Sequence, residues 1–312
     1  MIGGFIYLLM GGDLLVRGSV ALARRLRVSP AVVAATVVGF GTSLPEMVVS
    51  VRAAATGYPG LILGNVVGSN IANVLLVGGT AAIVYPLIWE DSAVRRNLAI
   101  MVGSTLGFAA LCAIGDIGRV AGLLLLASFA VIMASIARST IRARKDADPS
   151  TPLDWVLGLP SSLRMIGVFL LSGVMMLPLG AMLLVDSAVA IASDYDVPEA
   201  VIGLSVLAIG TSLPELTTTV LAALERRSDV AIGAIIGSNT FNLLTIMGVT
   251  AVLSPVPIAV SDRFLLFDVP VMLLTSGVLA LFVWKARPIG RVAGTAMVLA
   301  YVAYLGTLYV VV

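Results

Sequence analysis

The hexapeptide GTSLPE occurs at residues 41–46 and again at 210–215, 169 positions apart. Both copies set a proline beside a glutamate inside a long apolar stretch. Any fold the chain adopts must therefore accommodate the same helix break and the same carboxylate twice. The correspondence extends beyond the hexapeptide. Residues 36–54 and 205–223 share ten identities in nineteen positions, and GNVVGSNIAN at 64–73 meets GAIIGSNTFN at 233–242 at the same offset of 169. Two separate stretches, in the same order and at one spacing, identify an internal duplication.

The surroundings of the repeat are those of a lipid phase. Hydrophobic residues make up 59% of the 312 and charged residues 12%. A water-soluble domain cannot hide that much apolar surface, so the fold class is an all-α polytopic membrane protein. A helical span needs about 20 apolar residues. Ten runs qualify as transmembrane helices, at 2–23, 31–56, 60–88, 96–114, 118–137, 164–192, 199–224, 230–254, 264–284 and 289–311. The apolar N-terminal run has no basic region before it and is interrupted by Asp13 and Arg17, so it reads as a first membrane helix rather than a signal peptide.

Positive charge sorts the linkers. Fifteen of the 19 Lys and Arg fall in alternate ones: Arg24, Arg25 and Arg27; Arg95 and Arg96; Arg138, Arg142, Arg144, Lys145 and Arg164; Arg226 and Arg227; Lys285, Arg287 and Arg291. The other linkers hold only Arg119 and Arg263. The positive-inside rule makes the first set cytoplasmic, in the cell membrane, with both termini outside. Five spans per copy is an odd number, so the two repeats must be inverted. The expected organisation is a first five-helix repeat at 1–137, a cytoplasmic linker at 138–163 and a second, inverted five-helix repeat at 164–312.

Several function classes drop out. The chain has no histidine and one cysteine, Cys112. That removes His-based zinc sites, Ser-His and Cys-His catalysis and an intrachain disulfide, and leaves Asp and Glu for any proton chemistry. A net charge of +2 gives no footprint for nucleic acid. Aspartate-rich prenyl-transfer motifs, HExxH and paired catalytic aspartates are missing, so neither an enzyme nor a cofactor is indicated. No obligate protein partner is evident. Inverted repeats with interrupted helices are instead the layout in which secondary transporters build a site near the bilayer midplane. A cation channel suits that layout less well.

The motif chemistry points to a cation. Pro45 and Pro214 lack an N–H and crowd the carbonyls four residues back, near Gly41 and Gly210. In lipid, a freed carbonyl costs several kcal/mol unless it finds a partner. Thr42 and Glu46 are four apart and are expected to share a helix face, as are Thr211 and Glu215; Ser69 with Asn73 and Ser238 with Asn242 repeat the spacing. All of these offer oxygen, the donor that Ca²⁺ and Na⁺ prefer, and two glutamates balance one divalent or two monovalent charges. A buried ionised Glu costs at least about 2.5 kcal/mol on the mildest insertion scales, so it needs a partner.

At these residues the chain closely resembles the cation/calcium exchanger superfamily, in particular prokaryotic sodium/calcium exchangers, whose two α-repeats GTSLPE and GSNxxN are similar to. The resemblance covers the whole ten-helix layout. It implies alternating access in an inverted five-plus-five fold, a secondary antiporter of Na⁺ against Ca²⁺ in the lipid bilayer, with Ca²⁺/H⁺ exchange or another cation pair as the alternative. By position, it implies Glu46 and Glu215 as shared central ligands and Thr42 and Thr211 as donors of carbonyl and hydroxyl oxygen. Ser43, Ser69, Ser212 and Ser238 would serve flanking sodium positions, the backbones of Gly39 and Ala208 would add carbonyls, and Asn73 would be a central amide. Some family members carry Asp where this chain has Asn242, so the site here holds two carboxylates rather than three, which leaves the counter-ion and stoichiometry open. The short linker leaves no room for the large regulatory calcium-binding domains of some animal relatives.

Outside the motifs, Asp13 is expected to pair with Arg17, Asp268 to snorkel toward the outer interface, and Asn70 and Asn239 to hydrogen-bond between helices. The acidic turn at 193–199 and Asp146, Asp148 and Asp154 read as solvated charges.

Overall fold

The computed structural model describes residues 2–56, 59–89, 92–146, 159–194 and 208–311. Twelve helices organise them: α1 (Ile2–Leu26), α2 (Pro30–Thr42), α3 (Leu44–Thr56), α4 (Gly60–Val84), α5 (Ser92–Ile114), α6 (Arg119–Asp146), α7 (Leu163–Asp194), α8 (Ala208–Thr211), α9 (Leu213–Leu224), α10 (Ser228–Leu253), α11 (Phe264–Trp284) and α12 (Arg291–Val311). Among the described residues, seven helices are long and apolar enough to cross a membrane: α1, α4, α5, α6, α7, α10 and α11. An eighth span is formed if α2 and α3, which meet at 46°, are taken together. This is an all-α, polytopic membrane fold.

Local sequence accounts for the starts and stops. Ser29 caps α2, its Oγ accepting from Ala31 N at 3.1 Å, and Pro30 takes the first helical position, where its missing N–H is not needed. The ends of α1, α9 and α11 close alike, with Arg27, Arg226 and Ala286 in the left-handed region and backbone bonds reaching back over the last turn: Val28 N to Ala23 O, Arg227 N to Ala222 O and Arg287 N to Phe282 O. All three lie in linkers of the basic set. α6 runs on to Asp146, past the span end expected at 137, because the Ala, Arg and Lys there are good helix formers that need no lipid. Asp148, Asp154, most of the 193–199 turn and the start of the span expected at 199–224 lie outside the described residues.

Glycine sets the helix spacing. α1 and α7 run antiparallel, with backbone against backbone: a Cβ on Gly4 would come within 2.9 Å of the Gly180 carbonyl, and one on Gly173 within 2.8 Å of the Gly11 carbonyl. Gly79 on α4 meets Gly294 on α12, and Gly122 on α6 meets Gly248 on α10, each with a carbonyl 2.8 Å from the first glycine's would-be Cβ. Small residues let helices approach where lipid supplies no hydrophobic drive between them. Single antiparallel bridges tie the connecting loops, Leu87 to Ile289 and Ile117 to Ile258. The two bridges sit at opposite ends of α5, which at 23 residues is about 34 Å long.

Two intramembrane charges find partners. Arg17 Nε lies 2.8 Å from Asp13 Oδ1, as the i,i+4 spacing leads one to expect, and 3.7 Å from Glu225 Oε1 at the end of α9. Burial lifts the Glu225 carboxyl above the usual range, while Arg17 and Arg227 draw it back. Asp268 does not simply reach for the interface: the Tyr304 hydroxyl donates to it at 2.8 Å, joining α11 to α12.

The packing gives a direct test. A Cβ on Gly237 of α10 would collide with the carbonyl and Cα of Ala35 on α2, whereas one on Gly277 of α11 meets nothing within 4 Å. Gly237→Ala should therefore lose about 1–3 kcal/mol of stability by overpacking, seen as a lowered unfolding temperature in detergent, with Gly277→Ala unchanged or slightly stabilised.

Candidate cation site

The broken spans position the carboxylates. Between α2 and α3 the backbone leaves the helix at Ser43, with φ −85° and ψ 10°; between α8 and α9 it does so at Ser212, with φ −89° and ψ 3°. The two breaks have one conformation. Pro45 and Pro214 then fall second in the helices that follow, where a missing N–H costs nothing. Glu46 and Glu215 come third, in the first turn, where free N–H groups and the helix dipole favour negative charge. The expectation that Thr42 and Glu46, or Thr211 and Glu215, share one helix face is corrected by this: the break lies between them in both copies. Thr42 closes α2 with its hydroxyl on the Val38 carbonyl at 3.1 Å, and Thr211 closes α8.

The halves meet through their polar side chains. Ser43 Oγ donates to Glu215 Oε1 at 3.0 Å, so a hydroxyl of the first copy holds a carboxylate of the second. Thr42 Oγ1 lies 3.3 Å from Ser238 Oγ, and Ser238 donates to the Gly39 carbonyl at 3.4 Å. Position 39 requires glycine, since a Cβ there would stand 2.7 Å from Ser238 N. Ser43 stands three residues before Glu46, so its bond to Glu215 brings the carboxylates of the two copies into one cluster. Asn73 and Asn242 each open a π-helical segment, Asn73–Gly78 in α4 and Asn242–Ile246 in α10. Such wider turns often accompany functional sites. Ser69 is buried on α4 one turn before Asn73, and Ala208 lies in α8.

What this cluster lacks is donors for its oxygens. Glu46 is 1% exposed and Glu215 2%, yet both oxygens of Glu46 and Oε2 of Glu215 are buried without a hydrogen-bond partner. Ser212 Oγ, Asn73 Oδ1 and both amide atoms of Asn242 are in the same condition. Buried polar atoms are nearly always satisfied, and a buried unpaired charge costs several kcal/mol. A concentration of unpaired oxygen around two carboxylates is the kind of donor set that hard cations take.

Two contributors escape the sequence reading. Asn65 Nδ2 donates to the Glu46 carbonyl at 3.1 Å and to Ser50 Oγ at 2.8 Å, bracing the first turn of α3 from α4. In the second copy the shift of 169 puts Ala234 and Thr219 at these positions, and Thr219 Oγ1 is buried without a partner. Asn65 lies inside GNVVGSN, but selecting only positions identical in both copies discards it.

The geometry has close counterparts. A family model described as "Sodium/calcium exchanger protein" matches residues 1–137 and 165–310. The chain belongs to the sodium/calcium exchanger family. It is 33% identical to the putative antiporter CaxA of Alkalimonas amylolytica, over 96% of this chain and 95% of that one. It is 30% identical to the sodium/calcium exchanger MaX1 of Methanosarcina acetivorans, over 98% of this exchanger-family chain and 96% of the relative. The sodium-calcium exchanger NCX_Mj, in a structure soaked with 2.5 mM Na⁺ and 0.1 mM Ca²⁺, superposes with a TM-score of 0.82 at 30% identity, covering 99% of this chain and 97% of that one.

A cation that fills this exchanger-family site should stabilise the fold by mass action, by about 2.7 kcal/mol at a concentration 100 times its dissociation constant. Ca²⁺ should therefore raise the unfolding temperature of the wild type. Glu46→Gln and Glu215→Gln should fold with the upward shift largely abolished. An undiminished shift in either variant would remove that glutamate from the site.

Proposed function

We propose that the protein is a secondary antiporter that exchanges Na⁺ for Ca²⁺ by alternating access, both ions using one site built on Glu46 and Glu215. One observation carries the reading: two breaks of one backbone conformation each deliver a buried carboxylate with unpaired oxygen to the start of a helix. Membership of the exchanger family and the names borne by MaX1 and NCX_Mj support the choice of ions.

In this reading Glu46 and Glu215 are the shared ligands. Thr42 and Thr211 add hydroxyl and carbonyl oxygen, and Gly39 and Ala208 add carbonyls. Ser43, Ser212, Ser69 and Ser238 serve flanking Na⁺ positions, with Asn73 and Asn242 as neutral central donors. Two carboxylates balance one Ca²⁺ or two Na⁺, so the ions compete for the same charges. Enclosing two bare carboxylates costs several kcal/mol, which a bound cation removes. The site therefore crosses between its two openings when loaded and resists crossing when empty, and that rule couples the two flows.

The architecture we infer is ten spans: the seven long helices, the α2–α3 pair, the α8–α9 pair, and α12. They form inverted repeats at 1–137 and 164–312, joined by a cytoplasmic linker at 138–163, with both termini outside the cell membrane. The glycine contacts support this. Gly4 and Gly11 correspond to Gly173 and Gly180 under the shift of 169, and Gly79 corresponds to Gly248. Loop bridges at opposite ends of α5 support it as well.

Uptake of radiolabelled Ca²⁺ into proteoliposomes tests the function. Vesicles loaded with Na⁺ should accumulate Ca²⁺, and Glu46→Gln or Glu215→Gln should abolish the flux. Uptake that follows a pH gradient and ignores Na⁺ would replace Na⁺ with H⁺ as the counter-ion. Asn242→Asp should change cation affinity or its pH dependence, because it adds a third carboxyl; an unchanged ion profile would make position 242 peripheral.

A further inference from the structure

Four amides cross the centre of the molecule in an order that the repeat does not share. Asn73 Nδ2 on α4 donates to Asn239 Oδ1 on α10 at 3.1 Å. Asn239 Nδ2 donates to the Asn70 carbonyl at 3.3 Å, and Asn70 Nδ2 turns back to the Val66 carbonyl of its own helix at 2.6 Å. The shift of 169 maps Asn70 onto Asn239 and Asn73 onto Asn242. The counterpart of the Asn73–Asn239 bond would thus join Asn242 to Asn70. That bond is not made: Asn242 Nδ2 and Asn70 Oδ1 are both buried without partners. Asn70 is 2% exposed, Asn239 1% and Asn242 0%, so water offers no ready substitute.

The consequence for the site is one of polarity. An amide presents an acceptor oxygen at one end and two donor hydrogens at the other, and only the oxygen suits a cation. Asn239 engages the NH₂ of Asn73, which leaves Asn73 Oδ1 as the atom free for a ligand. Asn242 has no such guide, and both ends of its amide are free.

We propose that Asn239 and Asn70 are positioning residues that act in turn: Asn239 orients Asn73 in the conformation seen here, and Asn70 orients Asn242 in the opposite-facing one. This rests on the inverted-repeat antiporter reading, in which the second state is the pseudo-symmetric image of the first. The exchange needs only local amide rotations. Asn70 leaves Val66 and donates to the Asn239 carbonyl, Asn239 turns to the Ile235 carbonyl four residues back, and Asn242 Nδ2 donates to Asn70 Oδ1. Every donor and acceptor in the second arrangement is the 169-shifted partner of one in the first. The two arrangements differ in which carbonyl the Asn70 and Asn239 amides face: in the one seen here Asn70 serves its own helix and Asn239 the other, and in the second these roles are exchanged.

The test is Ca²⁺ transport measured separately from the two faces of oriented proteoliposomes. Asn239→Ala should raise KM about five- to tenfold, the worth of one hydrogen bond on a buried group, on one face only, and Asn70→Ala should do so on the opposite face only. Combined variants should follow the pairing: Asn239→Ala should add nothing to Asn73→Ala on its own face, and Asn70→Ala nothing to Asn242→Ala. A KM raised equally on both faces, full additivity within the pairs, or no change would each overturn the proposal. If an alanine variant fails to fold, Asn239→Gln and Asn70→Gln, which keep the amide and displace it, carry the same face-specific expectation. Wild-type protein without Na⁺-driven uptake would instead sink the antiporter reading, which separates the two failures.

Discussion

Two carboxylates held a short distance apart inside a bilayer are the constraint from which the rest of the structure follows. Neither can be satisfied by lipid, and each raises the cost of the other's charge. Placing each in the first turn of a helix offsets part of that cost through the exposed N–H groups of the turn, and a helix can begin in mid-membrane only if another ends there. The breaks at Ser43 and Ser212 are thus the requirement that Glu46 and Glu215 impose on the backbone. The glycines answer a related demand. A broken helix must be shielded from lipid by close neighbours, and Gly39 and Gly237 let α2 and α10 press backbone to backbone beside the break.

The cluster is also built to remain unsatisfied by the protein itself. Ser43 supplies one hydrogen bond to Glu215, Asn65 braces the carbonyl of Glu46 rather than its carboxylate, and the remaining carboxylate oxygens have no donor. A site with every oxygen paired to protein would hold no ion; one with none paired would have no shape. The division here leaves the carboxylates rigid at the backbone and open at the side chain. Arg17, the basic residue inside α1, is occupied by Asp13 and by Glu225 at the far end of α9.

Much of this was legible in the residues. Duplication and apolar length marked the helices, and proline beside glutamate marked both breaks. What could not be read was how the break resolves. Four-residue spacing put Thr42 and Glu46 on one face because spacing assumes a continuous helix, and the proline that interrupts it sits after the break rather than at it. Asn65 was hidden for another reason: its role depends on a partner helix and it has no twin, so comparison of the copies worked against it. The sequence around Asp268 offers it no partner, because Tyr304, which donates to it, lies on the next helix and many residues later.

The contact between α1 and α7 has one more meaning. Gly4 meets Gly180 and Gly11 meets Gly173, so each of two positions in one repeat meets the equivalent of the other. A patch that binds itself is isologous, the geometry of a two-fold homodimer. In the inverted-repeat architecture we propose, each half therefore carries, on its first helix, the surface with which a second half inserted the other way up would associate. The covalent linker then adds a fixed partner to an assembly whose recognition surface each half already possesses.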